Sequence, residues 1–413
     1  MDILKIATAG SVDDGKSTLI GRLLYETNTL KEDQIAHIKA KSEAKGYDYL
    51  DLSLATDGLL TEREQGITID VSNIYFTTDK RRFIIADAPG HIEYTRNMIT
   101  GASTAAATII LIDARKGIVE QTKRHFYLTQ LLGIQQIIFA INKMDLVNFS
   151  QEVYNKILHD ISSITHKWGA KDCQYHYIPI AALGGENIVA SSEKMSWYLE
   201  RPLLPLLENI NTQTIQHEES IIQVQYVIRP KQEAFHDYRG FAGKVNSGRF
   251  KVGDPVQIHP SGVETSISEI EKYGINVPFL SQGENGTIIL KDPVDLSRGN
   301  SINGKNKEIP FTNSIKATVC WMENESLNSS KKYWLQQGCN KVQARVANVE
   351  NKVNIDQLAL ESATQLGLND IGTISIQTAE TIIGISYQEN QQMGAFILIN
   401  PVTNNTAGLG FIK

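Results

Sequence analysis

The stretch Gly10-Ser11-Val12-Asp13-Asp14-Gly15-Lys16-Ser17-Thr18 constrains this chain more than any other, because it fits G-x-x-x-x-G-K-[ST] between an apolar strand and a helix. Leu4 to Ala9 predict a buried strand, and Leu19, Ile20, Leu23 and Leu24 give the following segment an apolar helical face. That context makes the glycine-rich turn a phosphate cradle. Gly10 and Gly15 let backbone N–H groups turn inward without an obstructing Cβ, and the helix N-terminus adds partial positive charge. Lys16 is expected to reach the β- and γ-phosphates of a nucleotide, and the Ser17 hydroxyl to ligate Mg²⁺.

The other parts of a nucleotide site follow in order. Thr29 to Lys45 predict a weakly amphipathic, mostly solvated helix. The polar stretch Asp57 to Gly66 then changes abruptly to Ile67-Thr68-Ile69, where Thr68 is a candidate to complete the Mg²⁺ shell. A short apolar strand, Arg82 to Ala86, ends in Asp87-Ala88-Pro89-Gly90-His91. Asp87 stands where it can hold Mg²⁺ through water, and Gly90 where an N–H meets the γ-phosphate and a side chain would collide. His91 follows at the point where a residue orients the attacking water, which makes it the candidate catalytic residue beside Lys16 and Thr68.

Two further strands, Thr108 to Ile112 and Ile137 to Ile141, lead into Asp113 and into Asn142-Lys143-Met144-Asp145. Guanine presents N1–H and an exocyclic N2–H₂ side by side, and a carboxylate at Asp145 can accept both. Adenine offers an acceptor at N1 and no amino group at C2, so it would face that carboxylate with a repelling lone pair. Each mismatched polar group costs about 1–3 kcal/mol, and two suffice to reject ATP. Lys143 is expected to pack its stem along the base and Asn142 to tether the phosphate loop. A last strand, Tyr177 to Ile180, leads into Ala181-Ala182-Leu183, whose backbone N–H groups are expected at the guanine O6. Ala181 stands where many GTPases carry serine, so a loop-bracing hydroxyl is missing. All these elements follow strands, as they do when a ligand sits at the carboxyl edge of a parallel α/β sheet.

At 413 residues the chain has room for two or three domains. Net charge is −6, which gives no global electrostatic case for nucleic acid or an anionic membrane. Cys173, Cys320 and Cys339 lack metal-ligand spacing and cannot all pair, which suits a reducing compartment and predicts three buried small hydrophobes. The first strand starts almost at the N-terminus and no 18-residue apolar run follows, so a cytoplasmic protein without a membrane segment is expected.

Near Arg201 to Pro205 and Asn211 to Ser220 the helix-strand alternation stops. Short glycine-punctuated strands then predict a small β-barrel, with Ile221 to Ile228, Gly240 to Val245 and Pro255 to Ile258 among them. A second β-rich segment begins near Phe311 and ends with Gly394 to Pro401. Neither carries a catalytic constellation. The expected division is 1–212 for the nucleotide-binding α/β domain, 213–308 for one barrel and 309–413 for the other.

A P-loop GTPase domain of mostly parallel sheet followed by two all-β barrels resembles the translation-factor superfamily, to which elongation factor Tu belongs. Those factors usually carry two histidines in the cradle, where this chain has Ser11 and Asp14. GSVDDGKSTLIGRLL, from Gly10 to Leu24, instead resembles the GTPase subunit of bacterial ATP sulfurylase, a sulfate adenylyltransferase. The likeness continues through DGLLTEREQGITIDV, HIEYTRNMITGAS, LIDARKG, NKMDLV, HDYRGFAGKVNSGRF, DLSRGN and GAFILINPVTNNTAGLGFI, nearly the entire chain. It departs at Asn390-Gln391-Gln392-Met393, where the family more often has arginine after the asparagine, and no second P-loop follows the barrels.

The resemblance implies a Mg²⁺-dependent GTPase subunit that works beside a smaller catalytic subunit. The partner would join sulfate to ATP, giving adenosine 5′-phosphosulfate and pyrophosphate, and GTP hydrolysis would drive that unfavourable step. The segment around Thr68 and the loop from Gly90 to Arg96 are the candidate couplers. The rival, an elongation-factor-like protein binding aminoacyl-tRNA, sits poorly with Ser11, Asp14 and the acidic net charge.

Overall fold

The strand predicted before the cradle is Ile3–Ala9 (β1), and it lies inside a sheet. The other strands are Ser72–Thr77 (β2), Arg82–Asp87 (β3), Ala107–Asp113 (β4), Gln136–Asn142 (β5) and Gln174–Pro179 (β6), of which β3 to β6 also lead into the predicted motifs. In this computed structural model, residues 2–55, 72–87, 95–170, 172–211, 217–230 and 238–413 are described. Among them the sheet has six strands in the order β2-β3-β1-β4-β5-β6, parallel throughout except where β2 runs antiparallel to β3.

The sequence pattern explains that order. Every residue of β4 and nearly every residue of β5 is buried, which matches their continuous apolar runs and requires cover on both faces. At the edge, β2 is mostly exposed and shows Tyr75 to solvent. Helix α1, Lys16–Glu26, leaves the cradle directly. It packs so closely on the short turn Leu52–Ala55 that a Cβ on Gly21 would lie 1.9 Å from the Leu52 carbonyl oxygen. Helix α2, Glu32–Ala44, buries only Ile38 and Ser42, in line with the solvated helix expected there. Helices α3 (Thr95–Ala102), α4 (Glu120–Leu131) and α5 (Gln151–Trp168) follow, and Ile157, Ile161 and Ile164 lie in the buried stripe of α5.

Two compact units emerge: residues 1–213 with 354–359, and residues 214–353 with 360–413. In the second, strand Pro255–His259 pairs with Ser301–Gly304 on one side and with Glu264–Lys272 on the other. The ring closes through Ile221–Gln223, Gly240–Ser247 and Asn285–Leu290, and Phe241, Val245, Phe250, Val256 and Ile288 fill it. A second ring joins Lys332–Gln337, Ala395–Ile399, Thr406–Ile412, Phe311–Trp321, Ile371–Ile383 and Asn340–Asn354 around Trp321, Leu335, Ile374 and Leu398. Ile221, Ile309, Ile383, Ile385 and Met393 form a small apolar cluster where the two rings meet, and the His259 ring stacks on Phe311 at 3.8 Å.

The thiols correct one expectation. Cys320 is buried in a central strand, but Cys173 and Cys339 are half-buried. Cys173 precedes the edge strand β6, and Cys339 sits in the turn between two barrel strands, where neither is enclosed on both sides. Among the described residues no helix is long and apolar enough to cross a membrane.

Candidate functional site

The cradle leaves β1 at Ala9 and enters α1 at Lys16, and left-handed backbone at Asp13 (φ 68°) and Gly15 (φ 94°) bends it back on itself. Gly15 is required twice over, because a Cβ there would lie 2.4 Å from Asn142 Nδ2. Gly10 is tight rather than blocked, its Cβ position lying 3.1 Å from Leu111 Cβ. Val12, Ser17 and Thr18 are half-buried and Asp13 is exposed.

The Lys16 side chain is buried and folds over the loop, its ammonium donating to the Gly10 carbonyl at 3.0 Å and to the Ser11 carbonyl at 3.4 Å. Burial pulls its pKa below the ordinary lysine value, while the charges of Asp87, Asp14 and Asp13 oppose that pull. Asp14 is buried too and accepts the Ser11 N–H at 2.6 Å, so this amide is occupied within the loop. Burial pushes the Asp14 carboxyl up from its usual range, against that hydrogen bond and the nearby Lys16. Asp87 ends β3 inside the sheet, with one oxygen accepting from the Thr8 hydroxyl at 3.0 Å. Hard oxygen donors at Ser17 and Asp87 are the kind Mg²⁺ takes, so these residues fit that ion.

The base-reading motif is joined to the cradle through Asn142. Its amide nitrogen donates to the Asp14 carbonyl at 2.8 Å, and its amide oxygen accepts the Ala182 N–H at 3.0 Å. Lys143 has left-handed backbone (φ 64°), and its ammonium reaches the Asp113 carboxylate at 3.2 Å and donates to the Asp13 carbonyl. Asp113 also accepts from Arg115 Nε at 3.0 Å, from an Arg115 terminal nitrogen at 2.7 Å and from the Arg115 N–H at 2.9 Å. Burial pushes that carboxyl up, but Arg115 and Lys143 outweigh it and hold it well below the usual carboxylate range. Asp145 lies in the turn Met144–Val147, half-exposed at the same edge.

One expectation needs correcting at the 181–183 turn. The Ala181 N–H donates to the Glu186 carbonyl at 3.2 Å and the Ala182 N–H to Asn142, so neither is open to a base. Bond closure within the turn and the tether to Asn142 consume them, leaving the Leu183 N–H without an acceptor among the described residues. Residues given no role from the sequence also shape the site: Thr8, Asp113 with Arg115, and Arg22, which donates to the carbonyls of Ala182 and Leu183. Thr8 had a signal, a hydroxyl between Ala7 and Ala9 near the end of the strand. Ala88, Pro89, Gly90, His91 and Thr68 lie outside the described residues.

Comparison with known proteins matches the nucleotide-binding part and the last barrel. Residues 1–217 match the Elongation factor Tu GTP binding domain family, and residues 314–413 match the GTP-eEF1A C-terminal domain-like family. The chain is 43% identical to the sulfate adenylyltransferase subunit 1 of Colwellia psychrerythraea, over 100% of its own length and 88% of that protein. It is 43% identical to the subunit 1 of Psychromonas ingrahamii, over 100% of its own length and 87% of that protein. With the bifunctional enzyme CysN/CysC of Mycobacterium tuberculosis it shares 42% identity over 99% of this chain and 67% of that one. An α/β domain of the elongation factor Tu kind followed by two β-barrels is therefore the architecture.

Proposed function

We propose that this chain, which belongs to the sulfate adenylyltransferase subunit 1 family and carries an elongation factor Tu type of GTP-binding domain, hydrolyses GTP to drive the joining of sulfate to ATP on a smaller catalytic partner. The observation that carries the nucleotide half is the joint at Asn142. One side chain ties the cradle at Asp14 to the turn at Ala182, which supports reading the phosphate and guanine motifs as parts of one site. The division into 1–212, 213–308 and 309–413 belongs to the same reading, with chemistry confined to the first part.

Within that pocket Gly10 to Thr18 cradle the phosphates, and Lys16 exchanges its loop carbonyls for phosphate oxygens. The hydroxyls of Ser17 and Thr68, and Asp87 through water and steadied by Thr8, would hold Mg²⁺, whose charge would neutralise the phosphates in the transition state. His91 orients water for in-line attack on the γ-phosphate. Asp145 accepts the N1–H and N2–H₂ of guanine, and Lys143 lies along the base. Coupling requires the partner to bind the two nucleotide states unequally, since a ligand shifts an equilibrium only through differential affinity. By sequence, the Thr68 segment and the loop from Gly90 to Arg96 remain the candidate couplers.

The test is pyrophosphate release from ATP and sulfate by this chain mixed with the smaller subunit, with GTP, with a non-hydrolysable analogue, and with a His91→Ala chain. GTP should raise the yield well above the analogue, and His91→Ala should abolish the difference while still binding GTP. A yield indifferent to GTP would overturn the coupling.

A further inference from the structure

We propose that Arg22 is a positioning residue for guanine recognition: it aims the Leu183 N–H at the O6 of the base and replaces the hydroxyl that Ala181 lacks. The assignment deepens the guanine reading above and rests on it. Arg22 lies on α1, 161 residues before Leu183, and its side chain is 14% exposed. Its Nε donates to the Ala182 carbonyl at 3.1 Å, and one terminal nitrogen donates to the Leu183 carbonyl. The other terminal nitrogen pairs with Glu26 at 3.2 Å, one helical turn on. The guanidinium is therefore held from behind and spends its fork on two successive carbonyls of the turn.

Peptide geometry converts that grip into direction. The Ala182 carbonyl and the Leu183 N–H belong to one planar trans peptide, so they point opposite ways and holding one fixes the other. The Leu183 N–H consequently points away from Arg22. It is also the amide of the three that donates to nothing among the described residues, since Ala181 is spent on Glu186 and Ala182 on Asn142. A second hold, on the Leu183 carbonyl, keeps the next peptide from rotating the first. Gly185, with φ +85°, closes the turn over the arginine, its Cβ position lying 3.6 Å from Arg22 Cδ. A lysine ammonium is a single point donor and cannot fix two peptide planes as a rigid fork does.

The role separates from mere stability because it touches only the O6 end of the base. The test uses the full chain and competition against a fluorescent guanine nucleotide, with GDP, IDP, ADP and the diphosphate of 2-aminopurine riboside. GDP and IDP both carry O6, while the 2-aminopurine nucleotide does not. Arg22→Ala should weaken GDP and IDP by the same factor, roughly tenfold for one misdirected hydrogen bond. It should leave the GDP:IDP ratio, set at Asp145, and the 2-aminopurine affinity unchanged. Arg22→Lys and Glu26→Gln, which keep the helix charge pattern or the partner shape, should fall between. Equal loss for all nucleotides, or no loss for any, would overturn the proposal while leaving guanine reading intact. Equal wild-type affinity for GDP and ADP would instead overturn the guanine reading, and Arg22's role with it.

Discussion

The carboxyl edge of the parallel sheet and the seam between the barrels both bury polar side chains, but they dispose of them differently. In the seam, the amide nitrogen of Gln337 donates to the carbonyls of Ile383, at 2.8 Å, and Met393, at 2.5 Å, and its oxygen accepts the Ile383 N–H at 3.2 Å. Gln223 likewise donates to the Gln337 carbonyl and accepts the Cys339 N–H. These amides close on backbone, and nothing is left for a ligand. At the sheet edge, Lys16, Lys143 and Arg115 face Asp14, Asp87 and Asp113, and the Leu183 amide donates to nothing among the described residues. Buried polarity that satisfies itself specifies a fold, whereas buried charge gathered on loop ends prepares a surface for something charged.

The difference can be broken most forcefully at Asp145. Asp145→Asn should move preference from GTP to XTP by roughly 10²-fold or more, because xanthine replaces the C2 amino donor with a carbonyl that suits an amide. Binding competition between the two nucleotides reads it, and an unchanged preference would remove Asp145 from base reading. Next in size, Gln337→Leu strands the Ile383 and Met393 backbone groups and should cost the second unit about 3 kcal/mol. Urea unfolding should show the loss while nucleotide affinity stays put. A fall in affinity would mean the seam serves the pocket after all.

The smallest effect concerns His125, which lies buried on α4 with its pKa drawn down to about 3, first by burial and then by Lys16 and Arg124. Its folded pKa lies below the unfolded value near 6.5, so the unfolded chain takes up the extra proton as the medium is acidified. Stability from this group is present above pH 6.5 and is lost as pH falls from there towards 3, by about 2 kcal/mol at pH 5. His125→Gln should flatten the pH dependence of unfolding by that amount between pH 7 and 5. An unaltered slope would show that another group carries the acid sensitivity.

Sequence sufficed where the determining residues are neighbours in the chain. The turn from β1 into α1 needs glycines and a lysine within nine positions, and the carboxyl ends of β3, β4 and β5 carry their polar residues immediately after apolar runs. What escaped depends on contacts between distant segments. Arg22 reads as an ordinary solvated helix residue until the 181–183 turn is placed beside it, and Gly21 shows no need for glycine until Leu52 presses on it. The amides of Ala181 and Ala182 belong in the same class: a motif shows that a turn exists there, but not which of its N–H groups the turn consumes.

Asn142 has a consequence for time as well as for affinity. Because its two ends hold the cradle and the turn together, one loop opens only by breaking that joint or carrying the other with it. For a nucleotide bound as proposed, release of the base and of the phosphates would then be coupled in time. A factor that pulled on one loop would act on both ends of the occupant.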